Sequence, residues 1–127
     1  MATVNLIQSK RSQSKAGLKF ILSYCKRDSK TVCGDKKLIG GVNCVAESAY
    51  HEMLSTKMRY GKTDGRMFYH LVQSFSPEEN ITPETAHEIA LKFAEREFSE
   101  YEVLVATHTD KAHIHSHIVF NSVNAVT

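Results

Sequence analysis

The chain has 127 residues, of which 42% are hydrophobic and 24% are charged. This length allows one domain with a single core, and the composition is ordinary for a soluble globular protein. No apolar run approaches the roughly 20 residues of a membrane span, and the first residues lack a signal-peptide pattern. Three cysteines without a CxxC pair predict neither a disulfide framework nor a cysteine zinc site, so we expect a protein of the reducing cytoplasm.

Charge is distributed unevenly along the chain. Up to Arg66 there are 13 Lys and Arg against 5 Asp and Glu, whereas from Met67 onward there are 3 against 9. Scattered lysines often form only a solvated face. A concentration of this size is also typical of a surface that follows a phosphate backbone, and it indicates nucleic acid as a partner.

The predicted elements follow the order β-α-(β)-α-β-α-β-β. In chain order they are a strand at 4–8, a helix at about 15–24 capped by Ser14, a basic loop at 26–31, a brief strand or turn at 38–45, a helix at about 46–60 that ends at Gly61, a strand at 67–75, a helix from Thr82-Pro83 to about 99, and strands at 101–108 and 113–122. This order predicts an α+β fold, in which an antiparallel sheet is covered on one face by helices.

The last predicted hairpin is rich in histidine. Four of the seven histidines of the chain lie within fourteen consecutive residues. Because side chains alternate across a strand, His113, His115, His117 and Asn121 project to one face. His108, on the antiparallel neighbour, can lie across from this row at a distance of roughly 5 Å between Cβ atoms.

Neighbouring imidazoles repel each other when protonated and desolvate poorly when neutral, and a shared cation resolves that conflict. We therefore predict that His108, His115 and His117 bind a metal ion, with a structural polar cluster as the alternative. His113, nearest the turn, is auxiliary, and Asp110 is predicted to orient a ligand imidazole. The residue types leave zinc, manganese and magnesium open.

The hairpin also carries a family resemblance. The string His108-x-Asp110, then His115-x-His117, then Asn121 resembles the third motif of the relaxase/mobilisation nuclease family. The members of this family are HUH-type enzymes that nick plasmid or transposon DNA for conjugative transfer.

Two upstream stretches extend the resemblance over most of the chain. Ser23-Tyr24-Cys25-Lys26, followed by Lys30-Thr31, is similar to the motif that holds the catalytic tyrosine of the family. The stretch from Tyr69 to Phe75 is similar to its second motif, whose serine contacts DNA near the cleavage site. His70 within this apolar stretch is expected to be a core or supporting residue.

The resemblance implies an HUH endonuclease-like fold with a ferredoxin- or RRM-like palm, and it implies roles for particular residues. Tyr24 is the expected nucleophile and Asp110 an orienting group or general base. Ser74 and Asn121 are expected to position DNA, and a divalent ion such as Mn²⁺ or Mg²⁺ is implied, with Zn²⁺ possible. We further expect the basic residues after the tyrosine to bind DNA: Lys26, Arg27 and Lys30.

The implied function is site- and strand-specific nicking and rejoining at a transfer origin through a covalent 5′-phosphotyrosine. The implied partners are single-stranded or hairpin origin DNA, accessory relaxosome proteins and a coupling protein, in the cytoplasm of a bacterium that carries a mobile element. Family members continue past the hairpin, so we expect residues 1–127 to be a relaxase domain truncated at its C terminus.

Two other functions stay open. One is a different HUH nuclease, a replication initiator or transposase, but these usually place the tyrosine on a helix after the histidines, and no tyrosine follows Tyr101. The other is a non-catalytic, metal-stabilised nucleic-acid-binding module. For Tyr24 the alternative is a helix-end tyrosine that packs its ring, and Tyr60 is the next candidate nucleophile.

Overall fold

The computed structural model describes residues 3–7, 13–33, 36–62, 66–76, 80–109 and 113–125. The helices in these ranges are α1 (Lys15–Cys25), α2 (Asp28–Thr31), α3 (Ala49–Arg59) and α4 (Pro83–Glu97), with a 3₁₀ turn at Ala46–Ser48 before α3. The strands are β1 (Thr3–Ile7), β2 (Val32–Cys33), β3 (Lys36–Lys37), β4 (Ile39–Val42), β5 (Phe68–Ser74), β6 (Val103–His108) and β7 (His115–Asn121).

Five of these strands form one antiparallel sheet in the order β1-β5-β7-β6-β4, which confirms the predicted α+β class. The short strands β2 and β3 pair only with each other. β7 lies at the centre of the sheet, hydrogen-bonded to β5 on one side and β6 on the other. Because ladders hold β7 along both edges, side chains on it are positioned by rigid backbone.

Helices cover both faces of the sheet. α1 and α3 pack over the face that carries Leu104 and Ala106, whereas α4 packs over the face that carries Val103 and Val105. The prediction that helices cover one face was therefore wrong. All four of these β6 residues are apolar and fully buried, so each face of the strand needs a cover, as is usual for strands without apolar/polar alternation.

The predicted helix ends are confirmed by their hydrogen bonds. The Ser14 hydroxyl accepts from the backbone N–H of Gly17 at 3.0 Å, and the Thr82 hydroxyl accepts from that of Thr85 at 3.2 Å. Gly61 follows α3 with a φ of 71°, a left-handed conformation that favours glycine. No helix within the described ranges combines the length and apolar character needed to cross a bilayer.

The basic loop predicted at 26–31 ends in the helical turn α2. The Thr31 hydroxyl donates to the carbonyl of Arg27 at 2.9 Å and closes this turn on itself. The backbone N–H of Thr109 donates to the carbonyl of Lys30 at 2.7 Å, which ties the turn to the end of β6. A four-residue helix has too few residues to show a hydrophobic period, which is why the pattern did not predict it.

A buried lysine joins α3 to the sheet. The side chain of Lys57 is fully buried, and its ammonium donates to the side-chain oxygen of Asn121, to the carbonyl of Met67 and to the hydroxyl of Ser122. Three acceptors satisfy the three N–H donors of the ammonium, which compensates for its removal from water.

Asn121 is the centre of this polar network. Its amide is fully buried and donates to the carbonyl of Met53 at 3.1 Å and to the carboxylate of Glu102 at 2.9 Å. Together with the bond from Lys57, these contacts link α3, β7 and the segment before β6. The network holds the C-terminal end of β7 in place.

We expect Asn121→Ala to lower the free energy of unfolding by about 2–4 kcal/mol, because it leaves buried charged partners without their hydrogen bonds. Urea denaturation measures this change. The matched control is Asn124→Ala, which removes a solvent-exposed hydrogen bond to Glu100. Equal, small losses in the two variants would contradict a structural role for Asn121.

Lys57 also predicts a pH dependence of stability. Burial, and then repulsion from Lys62, lower the pKa of Lys57 from 10.5 to about 8, while Glu102 acts in the opposite direction. The unfolded chain therefore holds this proton more tightly than the folded chain does. Below about pH 8 the protonated lysine lowers the free energy of unfolding, and this loss of stability disappears as the pH rises toward 10.5.

The free energy of unfolding of the wild type should therefore rise relative to that of Lys57→Met over this pH window. Denaturant titrations of both proteins at several pH values measure the difference. Parallel pH profiles would show that the pKa of Lys57 is not lowered in the folded state.

Candidate metal centre and active site

Three imidazoles converge where β6 and β7 meet. His108 lies directly opposite His115 in the β6–β7 register, and His117 lies two residues further along β7 on the same face. The ring centroids are 4.2–5.1 Å apart, and one ring nitrogen from each lies within 4.8 Å of the others. Metal–nitrogen distances of about 2 Å place ligand atoms this close together, so the three residues fit one divalent cation.

The ring of His108 is oriented by the backbone of α1. Its Nε2 lies 3.0 Å from the carbonyl oxygen of Cys25. A carbonyl can only accept, so Nε2 carries the proton and Nδ1 keeps the lone pair that can bind an ion. Asp110, which was predicted to orient a ligand imidazole, lies outside the described residues.

The ring of His117 is oriented by a histidine from the neighbouring strand. The Nε2 atom of His70, on β5, lies 2.7 Å from Nδ1 of His117. When Nδ1 of His117 donates this hydrogen bond, Nε2 of His117 keeps the lone pair that can bind an ion. Burial, together with repulsion from His108, lowers the pKa of His70 to about 4 and that of His117 to about 2. Both rings are therefore neutral near pH 7, as metal ligands must be.

His115 is the most accessible of the three imidazoles. It is half-buried, whereas His108 and His117 are buried. Its Nδ1 lies 3.3 Å from the backbone carbonyl of His113, and the side chain of His113 is exposed and outside the converging group. The partly open side at His115 is where a substrate can approach.

Tyr24 lies beside this centre, in the last turn of α1. Its ring is half-buried and makes edge contacts with His108 and His117, at centroid distances of 6.0 and 6.4 Å. The next residue is Cys25, whose carbonyl orients His108. One turn of helix therefore presents the phenol and fixes a neighbouring imidazole.

Two cations flank the Tyr24 ring. The guanidinium carbon of Arg27 and the ammonium of Lys30 lie 5.2 and 5.3 Å from the ring centroid, a distance typical of cation–π contacts. Lys26 differs, because its ammonium donates to the carbonyl of Ala46 at 3.0 Å, and burial lowers its pKa. Of the three basic residues predicted to bind DNA, the structure thus brings two to the tyrosine.

Ser74 and Asn121 have different positions relative to the site. Ser74 pairs with His115 in the β5–β7 register and is half-buried, so it lies at the same end of the sheet as the imidazoles. Asn121 shares their face of β7, as predicted, but lies under α3 with its side chain fully buried and hydrogen-bonded. In this structure the amide of Asn121 supports the strand end, and its expected role in positioning DNA stays a prediction.

Comparison with known proteins places the chain among relaxases. Residues 24–127 match the family described as relaxase, MobA/VirD2-like, nuclease domain. The chain is 42% identical over 87 residues to Protein rlx of Staphylococcus aureus, covering 68% of this chain and 27% of that protein. It is 49% identical over 67 residues to the group II intron-interrupted relaxase LtrB of Lactococcus lactis subsp. cremoris, covering 52% of this chain and 12% of that protein. No solved structure gives a significant match.

The contact between His70 and His117 predicts a change in metal affinity. In His70→Phe, which removes the hydrogen bond but keeps a flat ring, we expect the dissociation constant for Mn²⁺ to rise about 10–100-fold. Isothermal titration calorimetry measures it, with His51→Phe at an exposed position as the control. An unchanged constant in His70→Phe would show that the ring of His117 does not need this support.

Proposed function

The chain belongs to the relaxase family as a MobA/VirD2-like nuclease domain, and on that basis we propose that it nicks and rejoins one strand of DNA at an origin of transfer. The observation that carries the proposal is the contact of Tyr24 with two of three converging imidazoles. When DNA is bound, the Tyr24 hydroxyl and the cation site of the three imidazoles would therefore face the same phosphate group. The chain spans about a quarter of the length of Protein rlx, so the activity of a whole relaxase is part of the proposal.

His108, His115 and His117 would hold a divalent cation, Mn²⁺ or Mg²⁺ with Zn²⁺ as a further candidate, which supplies positive charge against the phosphate oxygens. The protein contributes the orientation of the imidazoles. The carbonyl of Cys25 and the ring of His70 hold two of them neutral and aligned. Arg27 and Lys30 add positive charge on the tyrosine side of the phosphate.

In the proposed reaction the phenol oxygen of Tyr24 attacks phosphorus. A bond forms between this oxygen and phosphorus, the bond from phosphorus to the 3′ oxygen breaks, and the 3′ oxygen takes up a proton from solvent and leaves as a hydroxyl. The phenol gives up its own proton to a base, for which Asp110 remains the prediction. Because the 5′-phosphotyrosine keeps a phosphodiester bond, a 3′-hydroxyl can reverse the step.

The proposed substrate is single-stranded or hairpin DNA. Arg27 and Lys30 would bind the backbone next to the scissile phosphate, and Ser74 would position it from β5. The other exposed basic residues of the N-terminal half would add positive charge that attracts DNA. The proposed protein partners are accessory relaxosome proteins and a coupling protein. The proposed location is the cytoplasm of a bacterium that carries the mobile element.

The central experiment incubates the protein with Mn²⁺ and a single-stranded transfer-origin oligonucleotide, and resolves the protein–DNA adduct on a denaturing gel. We expect an adduct with the wild type and none with Tyr24→Phe, because phenylalanine has no attacking oxygen. Tyr60→Phe is the control, since Tyr60 is an exposed tyrosine that follows α3.

An adduct formed by Tyr24→Phe would place the nucleophile elsewhere. A wild-type protein that binds the oligonucleotide tightly but forms no adduct would instead favour the non-catalytic binding module. The gel identifies the first failure, and a DNA-binding assay on the same samples identifies the second.

The two cations at Tyr24 predict a salt effect. Arg27→Gln and Lys30→Gln should each weaken single-stranded DNA binding and reduce the slope of log affinity against log salt concentration by about 0.7. Fluorescence anisotropy over a salt series measures the slope. Lys92→Gln, on α4 at the opposite face of the sheet, should leave it unchanged.

A further inference from the structure

A second group of ligating side chains lies on the interior side of the three imidazoles. The Sγ atom of Cys25 and one ring nitrogen each from His70 and His117 lie within 4.8 Å of one another. We propose that Cys25, His70 and His117 form an inner metal site that takes thiophilic divalent ions such as Zn²⁺ and Cd²⁺. The outer site is then His108, His115 and His117.

The donor atoms decide which ions the inner site prefers. A thiolate with two imidazoles suits Zn²⁺ and Cd²⁺, whereas Mn²⁺ and Mg²⁺ favour oxygen donors and water. Zinc bonds of about 2.3 Å to sulfur and about 2.0 Å to nitrogen allow at most about 4.3 Å between the two ligand atoms. The three donors lie within 4.8 Å of one another, so small side-chain shifts suffice for them to share one ion. The outer site contains no sulfur, so the two sites differ in selectivity.

The fold creates this site from distant parts of the chain. Cys25 comes from the end of α1, His70 from β5 and His117 from β7, and all three side chains are buried. No CxxC spacing marks the site, which is why the sequence predicted no cysteine zinc site. Cys44, by contrast, is half-buried and donates from Sγ to the carbonyl of Val103 at 3.4 Å, outside the group.

Binding at the inner site displaces protons. The thiol of Cys25 loses its proton to solvent as the sulfur–metal bond forms, since the thiolate is the ligand. The proton between Nε2 of His70 and Nδ1 of His117 moves to the other nitrogen of the ring that carries it, so each ring stays neutral with one N–H. No oxidant or reductant is needed.

Because His117 is shared, the two sites exclude each other. A neutral imidazole that binds the inner ion through Nδ1 carries its proton on Nε2, the nitrogen that the outer site needs. An inner ion therefore removes one of the three outer ligands. Inhibition of DNA nicking by thiophilic ions follows, and this consequence rests on the proposed function, whereas the binding itself does not.

The test begins with a titration of the full chain with Cd²⁺ alone, followed by the thiolate-to-metal charge-transfer absorption in the ultraviolet. We expect a band in the wild type and in Cys44→Ser, and its loss in Cys25→Ser and Cys25→Ala, with Cd²⁺ bound at least about tenfold more weakly. Thermal unfolding of each variant confirms that it is folded. A band of full intensity in a folded Cys25 variant would overturn the proposal.

A second arm separates the inner from the outer site. His115→Asn removes an outer ligand only, so it should lose Mn²⁺ binding and keep the Cd²⁺ band. In the wild type, one equivalent of Cd²⁺ should abolish Mn²⁺ binding measured by calorimetry. Loss of the Cd²⁺ band in His115→Asn, or simultaneous binding of both ions, would contradict two mutually exclusive sites.

The nicking assay completes the design. One equivalent of Cd²⁺ should abolish adduct formation by the wild type and by Cys44→Ser in the presence of Mn²⁺. If neither forms an adduct even without Cd²⁺, the proposed nuclease function fails while the spectroscopic arms still decide the inner site. Undiminished nicking with the Cd²⁺ band present would overturn the inhibition.

Discussion

The docking of the α1 C terminus against the central hairpin is the interaction on which the candidate site depends. The carbonyl of Cys25 accepts from Nε2 of His108 at 3.0 Å, and the neighbouring ring of Tyr24 contacts His108 and His117. Ligand orientation and nucleophile position are thus set by one helical turn. This turn is held from the other side by the buried apolar face of α1, which packs over β6.

Clustering imidazoles away from water has an electrostatic cost that shapes the centre. Burial lowers the pKa of His70 and of His117, and positive charge on His108 adds to the effect. A proton on one ring makes protonation of the other rings less favourable, so the clustered rings favour the neutral form, in which one nitrogen keeps its lone pair. The same arrangement that disfavours protons favours a divalent cation, because several neutral rings can each give a lone pair to one shared charge.

Much of the fold and part of the site follow from local patterns. Strand alternation predicted that His115 and His117 share a face with His108 opposite, and the capping residues Ser14 and Thr82 predicted where two helices begin. These inferences succeed because alternation and capping depend on neighbours in the chain. The support of His117 by His70 depends on the β5–β7 register, which no local pattern specifies. The burial of Asn121 under α3 likewise required the tertiary packing.

The acceptor for His108 is a main-chain carbonyl, that of Cys25. The orientation of the His108 ring therefore does not depend on which side chain stands at position 25. Any amino acid at position 25 has this carbonyl oxygen, so a small side chain that fits the buried position can replace that of Cys25 without removing the acceptor. The thiol and the carbonyl of Cys25 are therefore separable: the sulfur can be changed by substitution while the oxygen that orients His108 stays in place.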